Sequence, residues 1–354
     1  MTYDIHQTYQ FNYDRGPVFP SQFGIPPSGG PLFDFLGLKV RSRIGIAAGI
    51  LLNSKWILGY ARRGFDILTY KTVRSSHRPC YPLPNWVFVD DSTADDGPVY
   101  VIEKPKGDPR QWSSAVCFGM PSMAPEIWRE DIGRAKAGLG DAQILIVSVV
   151  ATPPDNDVAA DVRRRTLASH IADDFAKCAR WAADAGADVI EANFSCPNVC
   201  SAEGSIYMDA DFSREIAQTI RDAIGTKPLL IKVGHYKEPE SMRRLLLAVS
   251  GIANGITLVN AISRPVLYRD GRPAFGPKYL RAGVLGRAIH QPCLESVRQA
   301  ATIIRENNLR LAIAAVGGVS QPQDAKDFFT AGANAVMLGS SPMYLPDIAS
   351  ELPL

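Results

Sequence analysis

From Val40 onward, short apolar runs alternate with longer stretches in which apolar residues recur every three or four positions. These are the periods of buried strands and of amphipathic helices. The runs at 44–48, 65–71, 144–150, 187–194, 228–233, 255–260, 310–316 and 335–338 predict strands. The segments 53–63, 123–138, 166–185, 211–224, 238–250, 291–307 and 321–331 predict helices, two of them closed by Gly64 and Gly186. Eight strands with helices between them give the order of an α/β fold, the (β/α)8 TIM barrel, in which one unit runs to about 250 residues or more. A doubly wound sheet could show the same alternation. Polar or glycine residues end nearly every run, and a barrel assembles its site at those carboxyl ends, which favours the barrel.

Three stretches break the rhythm. Pro17, Pro20, Pro26, Pro27 and Pro31 lie among glycines in residues 14–32 and predict an irregular arm laid over the surface. The expected division is therefore an N-terminal arm over 1–39 and a barrel over 40–354. Residues 73–122 hold Pro79, Pro82, Pro84 and Gly97-Pro98, and predict hairpins and a long loop rather than core. Residues 261–286 read as a loop insertion.

Composition narrows the function classes. Of the 354 residues 46% are hydrophobic and 21% charged, ordinary for a globular chain with a sizeable core. The 38 basic and 36 acidic residues are spread along the chain to a net charge of +2, without the basic run that a nucleic-acid partner calls for. The longest apolar run, near 312–316, is far short of the roughly 20 residues of a membrane span. The polar, aromatic N-terminus lacks the layout of a signal peptide. A cytoplasmic protein without a membrane anchor is expected. Six cysteines without a Cys-x-x-Cys pair, and five scattered histidines, give neither a disulfide framework nor a metal site.

The candidate chemistry sits at the strand ends. Glu191-Ala-Asn193-Phe-Ser195-Cys196-Pro-Asn198 leaves a strand and enters a turn at Pro197. Even spacing points Asn193 and Ser195 the same way. Amide side chains, which both donate and accept, suit a small ring carrying carbonyl and N–H groups. Cys196 beside such a ring is a candidate acid or base; a free thiol ionises near pH 8.5, so a cationic or dipolar neighbour would help it. Lys71 and Lys232 end otherwise apolar runs, and a buried lysine asks for negative charge. Gly317-Gly318 and Gly339-Ser340 follow the last two strands, where closely approached backbone N–H groups favour a phosphate. Ala48-Gly49 leaves room for a flat ring system. The Gly45-x-x-x-Gly49 spacing does not fit the dinucleotide fingerprint.

The octapeptide closely resembles the Asn-x-Ser-Cys-Pro-Asn signature of the dihydroorotate dehydrogenase family, in its soluble class 1 branch. The resemblance extends over about 40–345. It implies FMN as cofactor, oxidation of dihydroorotate to orotate in pyrimidine biosynthesis, and Cys196 as the base that removes the C5 proton while a hydride passes to flavin N5. By the same resemblance Lys232 serves the flavin, and Lys71 with Thr72 touches flavin and substrate. Asn193, Asn198 and Asn260 hold the substrate. Ala48, Gly49, Asn193, Val259, Gly283, Gly286 and the Gly317-Gly318 and Gly339-Ser340 pairs surround the cofactor. A homodimer is implied as well. One loop departs from the pattern: Val116-Cys-Phe-Gly119-Met-Pro-Ser122 stands where the family reads Asn-Ser-Met-Gly-Leu-Pro-Asn, and Ala261 replaces a serine. Another dihydropyrimidine or an activated alkene is therefore the alternative substrate. A non-redox phosphate-binding barrel is the third reading, and the electron acceptor is left open among fumarate, NAD through a partner subunit, and a quinone.

Overall fold

The computed structural model describes residues 1–20, 31–90, 97–103, 105–153, 160–195 and 206–352. The eight apolar runs are β1 (Ile44–Ile46), β2 (Ile67–Val73), β3 (Ile144–Val149), β4 (Val189–Asn193), β5 (Leu229–Lys232), β6 (Gly255–Leu258), β7 (Ala312–Val316) and β8 (Ala335–Leu338). They pair in parallel in chain order, and β8 pairs with β1 to close a barrel. Helices lie between successive strands, so the fold is the (β/α)8 barrel the pattern predicted. Boundaries differ by a few residues. The helix expected from 166 begins at Ala160 and runs to Asp184, and β6 stops two residues before Asn260.

Two physical layers fill the barrel interior. Ile67, Ile144, Val189, Leu230 and Ala335 pack together toward the amino ends of the strands. The hairpin Phe33–Phe35/Leu38–Val40 adds Phe35 and Val40 to that cluster. Two-residue alternation then carries the inward face into polar side chains toward the carboxyl ends. Thr69, Ser148, Glu191, Asn193, Lys232 and Thr257 are all buried there. Burying so many polar groups is costly unless each finds a partner, which marks this end as the working one.

The insertions depart from expectation. Trp86–Asp90, Val99–Ile102, Ser113–Val116, Ile262–Leu267 and Arg281–Gly286 pair into a second closed sheet of five strands. The hairpin pairing expected in 73–122 is present, with Trp86–Asp90 antiparallel to Val99–Ile102 and to Ser113–Val116, but it belongs to the core: Trp86, Val87, Phe88, Val89, Val99 and Ala115 are buried. The stretch expected as a loop at 261–286 supplies the other two strands. Each half exposes an edge that only the other can pair, so together they remove it.

Ahead of the expected arm, Thr2, Tyr3, Tyr9, Asn12 and Tyr13 are buried, with a helix at Tyr9–Arg15. Of the arm itself, Asp14, Arg15, Val18, Pro20, Pro31 and Leu32 are exposed, as a segment laid over the surface should be. The Tyr3 ring centre lies 6.1 Å from that of Trp56 on the helix Ser54–Ala61 and 5.8 Å from that of Trp86, tying the buried N-terminal residues to the barrel's first helix and to the five-stranded sheet. The expected boundary at residue 39 falls inside the hairpin just named. Among the described residues no helix is long and apolar enough to cross a membrane. No group of three or more His, Cys, Asp or Glu among them could hold a metal ion.

Candidate active site

The carboxyl ends of β2, β3 and β4 and the loop after β6 bring five polar side chains into one chain of hydrogen bonds. Asn260 Nδ2 donates to Ser195 Oγ at 2.7 Å, and Ser195 Oγ donates to Asn193 Oδ1 at 2.7 Å. Asn193 Nδ2 reaches Thr72 Oγ1 at 3.5 Å, and Thr72 Oγ1 donates to Ser148 Oγ at 3.0 Å. The Ser195 backbone N–H also donates to Asn193 Oδ1, at 3.2 Å, which fixes the amide orientation from two sides. Barrel closure makes this possible, because residues distant in sequence end on one rim. The expected members Thr72, Asn193 and Asn260 are brought together. Ser148 and Ser195 are members that sequence reasoning did not assign. Ser148 betrays itself only as a lone hydroxyl near the end of an apolar strand. Cys196 and Asn198 lie outside the described residues; Cys196 follows Ser195 directly in the chain.

Both lysines are buried. Lys71 Nζ donates to the Pro121 carbonyl at 2.5 Å and sits 5.4 Å from the centre of the Tyr9 ring. Lys232, 2% exposed, donates from Nζ to the Ala48 carbonyl at 3.3 Å, joining two expected cofactor contacts from β5 and the loop after β1. Burial pushes its pKa below the ordinary lysine value, and the Glu191 carboxylate opposes that shift. Val259 is fully buried, with its backbone N–H donating to Val316 at 3.0 Å.

Across the rim from β4 lies a cleft lined by Asn260, Gly286, Gly317, Gly318, Gly339 and Ser340. All six were expected at the site. The glycines serve different ends. Gly318 has φ +64°, and a Cβ there would stand 2.6 Å from the Gly286 carbonyl oxygen, so the turn closes only without a side chain. A Cβ on Gly339 would meet nothing within 4 Å, so its backbone faces open space. Gly283 is held between Ser263 and Val116 in the five-stranded ring and does not line this cleft.

Beneath the cleft, Asp324 accepts from the Ser320 backbone N–H at 3.0 Å and from Arg287 at 2.8 Å, with His290 Nε2 at 3.5 Å. Burial alone would raise its pKa; the Ser320 and Arg287 hydrogen bonds outweigh burial and hold the carboxyl below the usual aspartate range. His290 Nδ1 lies 3.1 Å from the Gly317 carbonyl oxygen, so the glycine turn rests on this group. Sequence reasoning missed these three residues, which sit on helices and carry no motif.

The departing loop has a structural explanation. Val116 is a strand residue paired with Trp86 and Gly283, and the Ser122 hydroxyl is engaged by the Arg74 backbone N–H at 3.0 Å and the Met123 carbonyl at 2.9 Å.

Comparison with known proteins follows this geometry. The dihydroorotate dehydrogenase family profile matches residues 135–352. A dihydroorotate dehydrogenase of Dictyostelium discoideum is 33% identical over 366 aligned positions, covering 99% of this chain and 95% of that protein. Dihydroorotate dehydrogenase A (fumarate) of Limosilactobacillus reuteri is 31% identical over 185 residues, covering 49% of this chain and 56% of its own. The catalytic subunit of dihydroorotate dehydrogenase B (NAD(+)) from Solidesulfovibrio magneticus is 29% identical over 184 residues, 51% of this chain and 57% of its own. These two matches span only about half of each bacterial protein. The solved structure of an Eimeria tenella DHODH in complex with ferulenol superposes with a TM-score of 0.68 over 90% of this chain and 82% of that one, at 17% identity, and so speaks for the fold.

Proposed function

This chain belongs to the dihydroorotate dehydrogenase family, and we propose that it oxidises dihydroorotate to orotate with FMN as its bound cofactor. The observation that carries the reading is the hydrogen-bonded chain Asn260–Ser195–Asn193–Thr72, which leads in sequence directly to Cys196 and shares Asn260 with the glycine cleft. The residues present fit FMN. Gly339 offers bare backbone with open space beside it, Gly318 holds a tight turn, and Lys232 is a buried cation with donors to spare.

In this reading Gly317, Gly318, Gly339 and Ser340 hold the phosphate, Lys232 with Ala48, Gly49 and Val259 the ring system, and Gly286 the side of the cleft. Gly283 supports the strand behind. Bound FMN would supply a hydride acceptor at N5. Asn193 and Asn260 present amides to the pyrimidine ring, with Asn198 beside them, and Lys71 meets the carboxylate. Ser195 fixes both described amides, so they are set before substrate arrives, and pre-set geometry is where an enzyme gains most over solution. Cys196 takes the proton from C5. General-base help of this kind is worth about 10²–10⁴ in rate.

The full-length match to a relative named dihydroorotate dehydrogenase favours this substrate over another dihydropyrimidine or an alkene. A cytoplasmic homodimer completes the reading, on the resemblance to the soluble branch; sedimentation of the purified protein tests the dimer. The test of function is anaerobic addition of dihydroorotate to the purified yellow protein. The oxidised-flavin absorbance is expected to disappear and orotate to accumulate in equal amount; a colourless protein that takes up no FMN contradicts the cofactor, and a flavin that stays oxidised contradicts the substrate.

A further inference from the structure

Glu191 stands two residues before Asn193 on β4 and has no part in the reaction described so far. It is 1% exposed, and its Oε1 finds no hydrogen-bond partner in the protein. The β4–β5 register pairs Glu191 with Leu230 and Asn193 with Lys232, so the carboxylate lies one diagonal step below the lysine on the inward face. By the two-residue alternation, the titratable side chains on the inward faces of the eight strands are Glu191 and Lys232. Lys71 lies in the part of β2 where the register shifts between Tyr70 and Val73, and is held by the Pro121 carbonyl. The other polar groups of this layer are neutral: Thr69 and Thr257, each with a buried hydroxyl lacking a partner, and the Ala48 carbonyl that Lys232 contacts.

An ammonium buried among neutral groups loses its hydration and tends to give up its proton, unless an opposite charge stands within reach. Glu191 is the acidic group in this layer that can do so. A carboxylate buried with one oxygen unpaired is itself costly, and a nearby ammonium offsets that cost.

We propose that Glu191 is a positioning residue that keeps Lys232 charged and aimed at the cofactor, and thereby sets the pH range over which the bound flavin holds its reduction potential. Glu191 touches neither substrate nor flavin; it acts through the lysine. The inference rests on the FMN reading, because the potential is read on the bound cofactor.

The experiment measures the midpoint potential of FMN-loaded protein against pH, for wild type, Glu191→Gln, Lys232→Met and the double variant, with FMN content determined first. Deprotonation of Lys232 shows as a pH region in which the potential falls more steeply. In Glu191→Gln that region is expected to move to lower pH by about one unit or more, because the lysine has lost its counter-charge. In the Lys232→Met background the same substitution is expected to change nothing, which a purely structural role for Glu191 would not produce. An unmoved region in Glu191→Gln, or an equal effect of that substitution with and without the lysine, overturns the proposal. Should Glu191→Gln fail to fold, Glu191→Asp carries the same charge on a shorter arm and so farther from the lysine: its steep region is expected to lie at lower pH than in wild type, and an unmoved region overturns the proposal. A wild type that binds no FMN defeats the functional reading; a wild type that binds FMN and a variant without the shift defeat this inference alone.

Discussion

The two sides of the barrel mouth solve the same problem in opposite ways. At the ends of β7 and β8 the chain withdraws its side chains and presents backbone, and the turn is so tightly packed that a Cβ on Gly318 would strike the Gly286 carbonyl at 2.6 Å. At the ends of β2, β3 and β4 the work falls to side chains hydrogen-bonded in series from Asn260 to Ser148. The first arrangement suits a phosphate, which is recognised by many N–H groups at once. The second suits a small ring whose polar edges must each be met. The glycine side should therefore be sensitive to volume and the amide side to chemistry.

The sharpest way to break this contrast is at the thiol. Cys196→Ala removes the proposed base without adding volume, and reduction of the bound flavin by dihydroorotate is expected to slow about 10²–10⁴-fold, with FMN retained. Rapid mixing under anaerobic conditions measures it. Next in size is a pair of glycine substitutions. Gly318→Ala forces a side chain into a left-handed turn against backbone, and should cost on the order of 1–3 kcal/mol, seen as a lower melting temperature. Gly339→Ala meets no protein atom within 4 Å, so it should leave the melting temperature of the FMN-free protein unchanged while weakening FMN binding. If both variants behave alike, the assignment of one glycine to packing and the other to ligand is wrong.

The smallest effect concerns acid. The Asp324 carboxyl is held below the usual aspartate range in the folded protein, so it binds a proton less readily there than in the unfolded chain. Its contribution to stability is complete above the ordinary value of 3.8 and is lost as pH falls through the lower folded value. Thermal melting followed below pH 4 should show a steeper loss in wild type than in Asp324→Asn, whose side chain cannot titrate. Equal slopes would contradict the anchoring of the glycine turn through Asp324.

How much of this was legible follows the same division. The barrel strands announce themselves because each is an apolar run covered on both faces, with a polar or glycine terminus that the barrel turns into a site. Lys71, Lys232 and Asn193 stand out for the same reason: a polar residue ending a buried strand has nowhere else to be. The five-stranded ring was not legible. Its two halves pair across long stretches of chain, Val116 with Gly283 and Val99 with Val266, each 167 positions apart, and Pro79, Pro82 and Pro84 before the first strand imitate a loop. The burial of Tyr3, Tyr9 and Tyr13 was hidden as well, because polar residues are interleaved with those rings. Ser148 escaped assignment since a single hydroxyl has no spacing to betray it, and Ser195, set on the face of Asn193 by its spacing, was given no role; the partners brought by barrel closure supply both roles.

The account depends most on the claim that the amide side acts on substrate while the glycine side holds the cofactor. The measurement that tests it is flavin reduction by dihydroorotate in Asn260→Ala, alongside the FMN content of the same preparation. Asn260 opens the hydrogen-bonded chain and also borders the cleft, so it is where the two sides meet. Loss of one buried hydrogen-bond partner is worth about 1–3 kcal/mol, or roughly 5- to 150-fold in rate. The account predicts slowed reduction in that range with a full complement of FMN; full-speed reduction, or a protein that loses its FMN, contradicts it.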